Sequence, residues 1–151
     1  MIFRKAKMSD VEQIAALINA YADQGLMLNR TLPSLYQKIR DYTLIENNNA
    51  IIGVGGLHIL WKDLSEICSL AIAPRFINNG LGLALVDILL QESRELGIEK
   101  VFALTYQPAF FEKSGFARIG KDQLPQKVWT ECINCPKFPN CDEIALIKSL
   151  Q

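Results

Sequence analysis

The run Asn78-Asn79-Gly80-Leu81-Gly82-Leu83 holds the first chemistry that this chain of 151 residues offers. Asparagine and glycine both tolerate a sharp turn and left-handed backbone. From Leu81 the pattern turns helical. Asp87, Gln91, Arg94 and Glu95 form one polar stripe, and leucines, Val86 and Ile88 fill the rest. A loop that opens into a helix leaves several N–H groups unpaired and adds the positive end of the helix dipole, which suits a phosphate or pyrophosphate. Two glycines here would also permit plain helix–strand packing, so the pair alone does not decide. The order of elements narrows the choice. The loop does not follow the first strand, and no third glycine stands at the dinucleotide-binding spacing. The absence of Gly-Lys-Ser or Gly-Lys-Thr excludes a P-loop.

A second group is Cys132, Cys135 and Cys141, spaced C-x2-C-x5-C. The first pair suits one zinc ion, but a structural site usually takes four ligands and the cluster offers three. His58, the single histidine, or Cys68 would have to complete it. In a cytosolic chain disulfides are not expected, and because the sequence does not bring either close, reduced thiols in a proline-pinned loop are favoured over a metal site.

These groups need elements to place them. Ile2 to Ala6 alternates as a strand. Ser9 with Glu12 reads as a capping box that starts a helix, and Val11, Ile14, Leu17, Ile18 and Tyr21 face its core until Gly25 stops it. Ser34 and Gln37 suggest a second box and a short helix to about Arg40. Thr43 to Glu46 and Ala50 to Leu60 flank an Asn47-Asn48-Asn49 turn, and Gly53, Gly55 and Gly56 suggest a bulge or a close backbone approach. Glu66 to Ala73 is a short buried strand ended by Pro74. Lys100 to Leu104, Phe116 to Ile119 and Glu143 to Lys148 complete the strands, with Ala109 to Ser114 a helix behind Pro108. Lys121 to Asp142 is a long irregular segment. The sum is one α/β domain, a mixed sheet with helices on both faces.

Sixteen basic and sixteen acidic residues give zero net charge, and no basic stripe appears, so nucleic acid and anionic membrane are poor partners. The start lacks a signal-peptide core and no apolar run spans a bilayer, which places the expected site of action in the cytoplasm.

The strand, glycine loop and helix in mid-chain resemble the acyl-CoA site of the GNAT acetyltransferase superfamily. Phe111-Glu112-Lys113-Ser114-Gly115-Phe116 is typical of it. Gly25 to Arg30, Ala103 to Gln107, and Lys127-Val128-Trp129 leading into Cys132 to Glu143 look like the short, stand-alone bacterial N-acetylglutamate synthases. The resemblance covers essentially residues 1–151 as a single domain and implies a mixed, mostly antiparallel GNAT sheet. It implies acetyl-CoA as co-substrate and an amino acid, L-glutamate, as the small-molecule acceptor in arginine biosynthesis. A homodimer is left open.

Carried over, the pantetheine pairs with the backbone of Leu70 and Ile72, and Leu70 or Ala71 offers an N–H to the thioester oxygen. The pyrophosphate meets N–H groups of Asn78, Asn79, Gly80, Leu81, Gly82 and Leu83. Glu66 is the general base. Tyr106 is the candidate acid, because Phe111 stands where relatives often carry a tyrosine. Arg30 grips a substrate carboxylate, with Lys62 and Lys127 as second choices. Ile77 replaces a usual Arg or Gln, and Arg75 is the nearby cation that could compensate. The alternatives are another small amine as acceptor, or a non-catalytic module that binds acetyl-CoA or a metal.

Overall fold

Short apolar, β-branched segments pair most readily where both faces can be covered. The computed structural model, which describes residues 1–124 and 143–150, joins seven such segments in one sheet. They are β1 (Ile2–Lys5), β2 (Tyr42–Asn47), β3 (Ala50–Trp61), β4 (Leu64–Ile72), β5 (Lys100–Thr105), β6 (Ala117–Ile119) and β7 (Ile144–Ser149). Their spatial order is β1-β2-β3-β4-β5-β7-β6. Among the described residues the β4–β5 pair alone is parallel, and the others are antiparallel. The helices are α1 (Val11–Ala22), α2 (Leu32–Gln37), α3 (Leu81–Glu95) and α4 (Pro108–Glu112). This is the α/β architecture expected from the sequence.

Two main cores lie on opposite faces. Val11, Ile14 and Ile18 of α1 and Leu35 of α2 pack on Leu44, Val54 and Ala71. Val86, Leu89 and Leu90 of α3 pack on Leu57, Ile67, Val101, Leu146 and the ring of Phe111. Each such side chain gains roughly 1.5–3 kcal/mol on burial.

Both expected capping boxes are replaced. The main-chain N–H of Lys7 donates to Asp10 Oδ2 at 2.7 Å, and a 3-10 turn over Met8–Asp10 precedes α1. Asp10, not Ser9 with Glu12, caps this end because Arg4 on β1 holds its carboxylate through two contacts of 2.8 and 2.9 Å. At α2 the cap is Thr31, whose Oγ1 accepts from Ser34 N–H at 3.3 Å, and Pro33 fits the first turn. The helix ends at Gln37, and a 3-10 turn over Ile39–Asp41 leads into β2.

The Arg4 hydrogen bonds hold the Asp10 carboxyl below its ordinary value, with the Lys7 N–H adding to this and burial opposing it. A depressed folded-state pKa stabilises the fold above the unfolded value and loses that contribution as pH falls through the folded one. Asp10→Asn is therefore expected to cost about 2–3 kcal/mol at pH 7, the range for charged hydrogen bonds. In urea titrations its deficit against wild type shrinks as pH drops below about 4. A deficit independent of pH would assign the loss to packing instead.

Candidate active site

β4 and β5 pair only at Leu64↔Lys100, Ser65↔Val101 and Glu66↔Phe102. Beyond Glu66 the strands part and border a cleft of about 970 Å³. Cys68 to Ile72 line one side and Leu104 to Gln107 the other. Ile77, Asn78 and Gly82 stand toward α3, and Leu26 to Arg30 border the opposite end.

The parting exposes main-chain groups of β4, and a bulge aims them. Val54 pairs with Ala71 and Gly56 with Cys68, so Ser69 and Leu70 together face Gly55. Ser69 takes φ = 53°, the left-handed conformation of the extra residue in such a bulge. Gly55 makes the room: a Cβ there would lie 2.9 Å from Leu70 Cδ1 and 3.1 Å from Leu89 Cδ1. Ala73 N–H donates to the Ile52 carbonyl at 2.7 Å, with Ile72 opposite Gly53. By strand alternation Ile72 then turns its N–H and carbonyl toward the cleft, and Ala71 turns its own toward β3. Leu70 faces the cleft like Ile72. Of the two N–H groups suggested by the sequence for an acyl oxygen, Leu70 is the one so turned, and Ala71 is committed to the ladder. The Tyr21 hydroxyl donates to the Ile72 carbonyl, so Ile72 keeps its N–H for a ligand.

At the other end, Pro74 to Phe76 form a 3-10 turn and Asn78 takes φ = 69°. Gly80, at φ = 75°, stands before α3 without a side-chain cap. The first helical bond runs from Ala84 N–H to the Gly80 carbonyl at 3.1 Å, which leaves the N–H groups of Leu81, Gly82 and Leu83 ahead of the ladder. Gly82 has a steric role as well. A Cβ there would lie 3.0 Å from the Phe110 ring. Asn79 turns back on the loop, its Nδ2 donating to the Phe76 carbonyl at 3.3 Å. Arg75 stacks 5.4 Å from the Phe76 ring centroid and is not part of the cleft wall, while Ile77 is 46% exposed at the cleft.

Arg30 is held at the far end. Its N–H donates to Asn19 Oδ1 at 3.0 Å, and Asn19 Nδ2 returns a bond to its carbonyl at 3.1 Å. Its Nε donates to Ser69 Oγ at 3.1 Å. No ion pair to a carboxylate engages its guanidinium among the described residues. Among the described residues, Lys38, not Lys62, is the second cation on the wall; Lys62 is exposed in the β3–β4 turn. Glu66 sits at the apex where the strands separate, half-buried, and Tyr106 stands just past β5. Phe111 is core, its ring edge-on to Phe110 and Phe116.

Burial first, and the Glu66 charge second, push the Cys68 thiol up to about 12. Burial likewise pushes the Tyr42 phenol up to about 12, with Cys68 adding to it and a bond to Ser69 opposing it. Cys68 is therefore a protonated thiol at neutral pH, without the thiolate that a covalent nucleophile needs.

The structure thus brings Glu66, Leu70, Ile72, Asn78, Gly82, Tyr106 and Arg30 to one cleft. Cys132, Cys135, Cys141 and Lys127 lie outside the described residues. Sequence reasoning missed Asn19, Lys38, Tyr42 and Ser69. Lys38 fell inside the short helix expected to run to about Arg40, and nothing in the sequence marked it.

The profile of the Acetyltransferase (GNAT) family matches residues 12–116. The chain is 37% identical over 147 residues to the Chlorobaculum tepidum protein named uncharacterized N-acetyltransferase CT2212, covering 97% of this chain and 95% of that one. It is 35% identical to an amino-acid acetyltransferase of Mycobacterium tuberculosis over 133 residues, 86% of this chain and 76% of that protein. The fold superposes with a TM-score of 0.90, at 26% identity, on N-acetylglutamate synthase from Neisseria gonorrhoeae complexed with coenzyme A and N-acetyl-glutamate. That match covers 99% of this chain and 35% of the other.

Proposed function

This chain belongs to the acetyltransferase (GNAT) family, and from that premise we propose that it acetylates the α-amine of L-glutamate, the opening step of arginine biosynthesis, as one domain. The coarser activity is plain: it is an acetyl-CoA-dependent N-acetyltransferase acting on amino acids. The observation that supports glutamate is Arg30, clamped by Asn19 and Ser69 at the acceptor end with no internal carboxylate partner among the described residues. A guanidinium held this way fits a carboxylate bidentately, and Lys38 adds a second cation for the other carboxylate.

Acetyl-CoA fits the cleft by its chemistry. The turned main chain of Leu70 and Ile72 offers the amide partners that a pantetheine arm needs, and the N–H groups of Leu81, Gly82 and Leu83 offer an anion seat at the start of α3. When bound, the thioester supplies an activated acetyl group. Glu66 takes the ammonium proton, directly or through water, and frees the nitrogen lone pair. The Leu70 N–H stabilises the charge that develops on the thioester oxygen. Tyr106 or solvent protonates the departing thiolate, whose ordinary pKa near 8.5 makes either adequate.

The test is thiol release from acetyl-CoA with L-glutamate against a panel of amino acids and amines. Release with glutamate alone supports the reading, and release with another amine would discard glutamate and keep the enzyme. Gly82→Val is a second check. Its Cβ would lie 3.0 Å from the Phe110 ring, and the shift this forces is expected to disturb the N–H groups at the start of α3. The expected result is a KM for acetyl-CoA raised about tenfold, roughly 1.4 kcal/mol, with the acceptor KM little changed. An unchanged coenzyme KM would move the anion seat elsewhere.

A further inference from the structure

Acetylation of an ammonium at neutral pH releases one net proton: R–NH3+ and acetyl-CoA give the amide, the thiol and H+. The nitrogen loses its proton, forms the new C–N bond, and the C–S bond breaks, so the site must export a proton in every turnover. We propose that His58 with Asp41 is the exit for that proton, passing to solvent what Glu66 takes from the acceptor. The inference rests on the acetyl-transfer reading but not on glutamate as acceptor.

Geometry carries it. His58 stands directly opposite Glu66 in the β3–β4 ladder, and directly opposed side chains sit on one face of the sheet with Cβ atoms about 4.5–5.5 Å apart. Both border a small cavity of about 30 Å³ behind the acceptor end, room for one water. His58 Nδ1 lies 2.9 Å from Asp41 Oδ2. With Nδ1–H donated to that carboxylate, Nε2 is the accepting nitrogen. The side chains of His58 and Asp41 are 21% and 23% exposed, so the pair reaches from the cavity to solvent.

The other groups around the cavity do not replace it. Tyr42 on β2 and Cys68 on β4 titrate far above neutral pH. Arg30 and Lys38, on the segments before β2, also line it, and a guanidinium or ammonium donates hydrogen bonds and accepts none. The proton therefore moves from ammonium to the Glu66 carboxylate, from the carboxylic acid to His58 Nε2, and from the imidazolium, balanced by Asp41, to water. His58 and Asp41 are not on the wall of the main cleft, and they act through Glu66.

The chain has one histidine, so the imidazole C2–H resonance of tag-free protein reports His58 alone. Its titration midpoint is expected to fall by about one unit in Asp41→Asn and to fall in Glu66→Gln, since each removes a nearby negative charge. In kinetics, His58→Gln is expected to lower kcat about tenfold with the KM for acetyl-CoA within twofold. Added imidazole at constant pH and ionic strength restores kcat, which a merely structural loss would not show. A midpoint unmoved in Glu66→Gln, a kcat within twofold of wild type, or a loss that imidazole leaves unrepaired would each overturn the proposal. Wild type that acetylates no amine sinks the enzymatic reading instead, and the His58 titration still decides the coupling.

Discussion

Glu66→Gln is expected to lower kcat by about 10²–10⁴-fold, the usual contribution of a positioned general base. The amide keeps the shape and hydrogen-bonding reach of the carboxylate but accepts no proton. Glu66 stands at the apex of the β4–β5 separation, paired through the backbone with both His58 and Phe102. Those backbone pairings hold its place in the sheet, so the KM for acetyl-CoA is expected to stay within about twofold. The deficit narrows as pH rises above the pKa of the acceptor amine, because the amine then arrives neutral. Rate measurements from pH 6 to 10 check both parts. Full activity in the variant would remove Glu66 from the mechanism and leave water to do its work.

Arg30→Ala is expected to lower kcat/KM for L-glutamate by on the order of 10²-fold, about 3 kcal/mol for a charge-assisted pair in a partly dry site. The loss falls on the acceptor KM, with the acetyl-CoA KM unchanged, because Arg30 is bonded to Ser69 on the acceptor side of the cleft. Arg30→Lys recovers little, since an ammonium cannot form two parallel bonds to a carboxylate while keeping the bond to Ser69. Acceptors without a side-chain carboxylate respond less if Arg30 reads that carboxylate, and equally if it reads the α-carboxylate. A glutamate KM that does not move would strip Arg30 of its role.

The loop ahead of α3, the proposed anion seat, was legible in the sequence because turn chemistry is local. Asn78 and Gly80 sit in the left-handed conformations that their residue types favour, and Leu81 begins the helix where the apolar period starts. The cap of α1 was less legible. Ser9 and Glu12 make a good local motif, yet Arg4, brought in by β1, selects Asp10. Ser69 gave no sign of its backbone, because serine in a strand carries no mark of a bulge; the mark is Gly55 on the neighbouring strand. His58 and Asp41 are 17 residues apart, on segments that no short motif connects. Helix and strand patterns record what neighbours in the chain do, while the acceptor end is assembled from Asn19 on α1, Arg30 and Lys38 on the segments flanking α2, and Glu66 and Ser69 on β4.

The bulge and the parted strands have a consequence for which substitutions the protein tolerates. On the proposed reading the donor half of the cleft works through peptide N–H groups at Leu70, Ile72 and the start of α3, and every non-proline residue brings the same N–H. Side chains there can be exchanged with the register intact, provided Gly55 and Gly82 keep their space and no proline enters. The acceptor half is written in side chains, where one replacement at Arg30 or Lys38 rewrites the charge it presents. One half of the molecule is therefore buffered against mutation and the other is exposed to it, so a new acceptor can be acquired without relearning the donor.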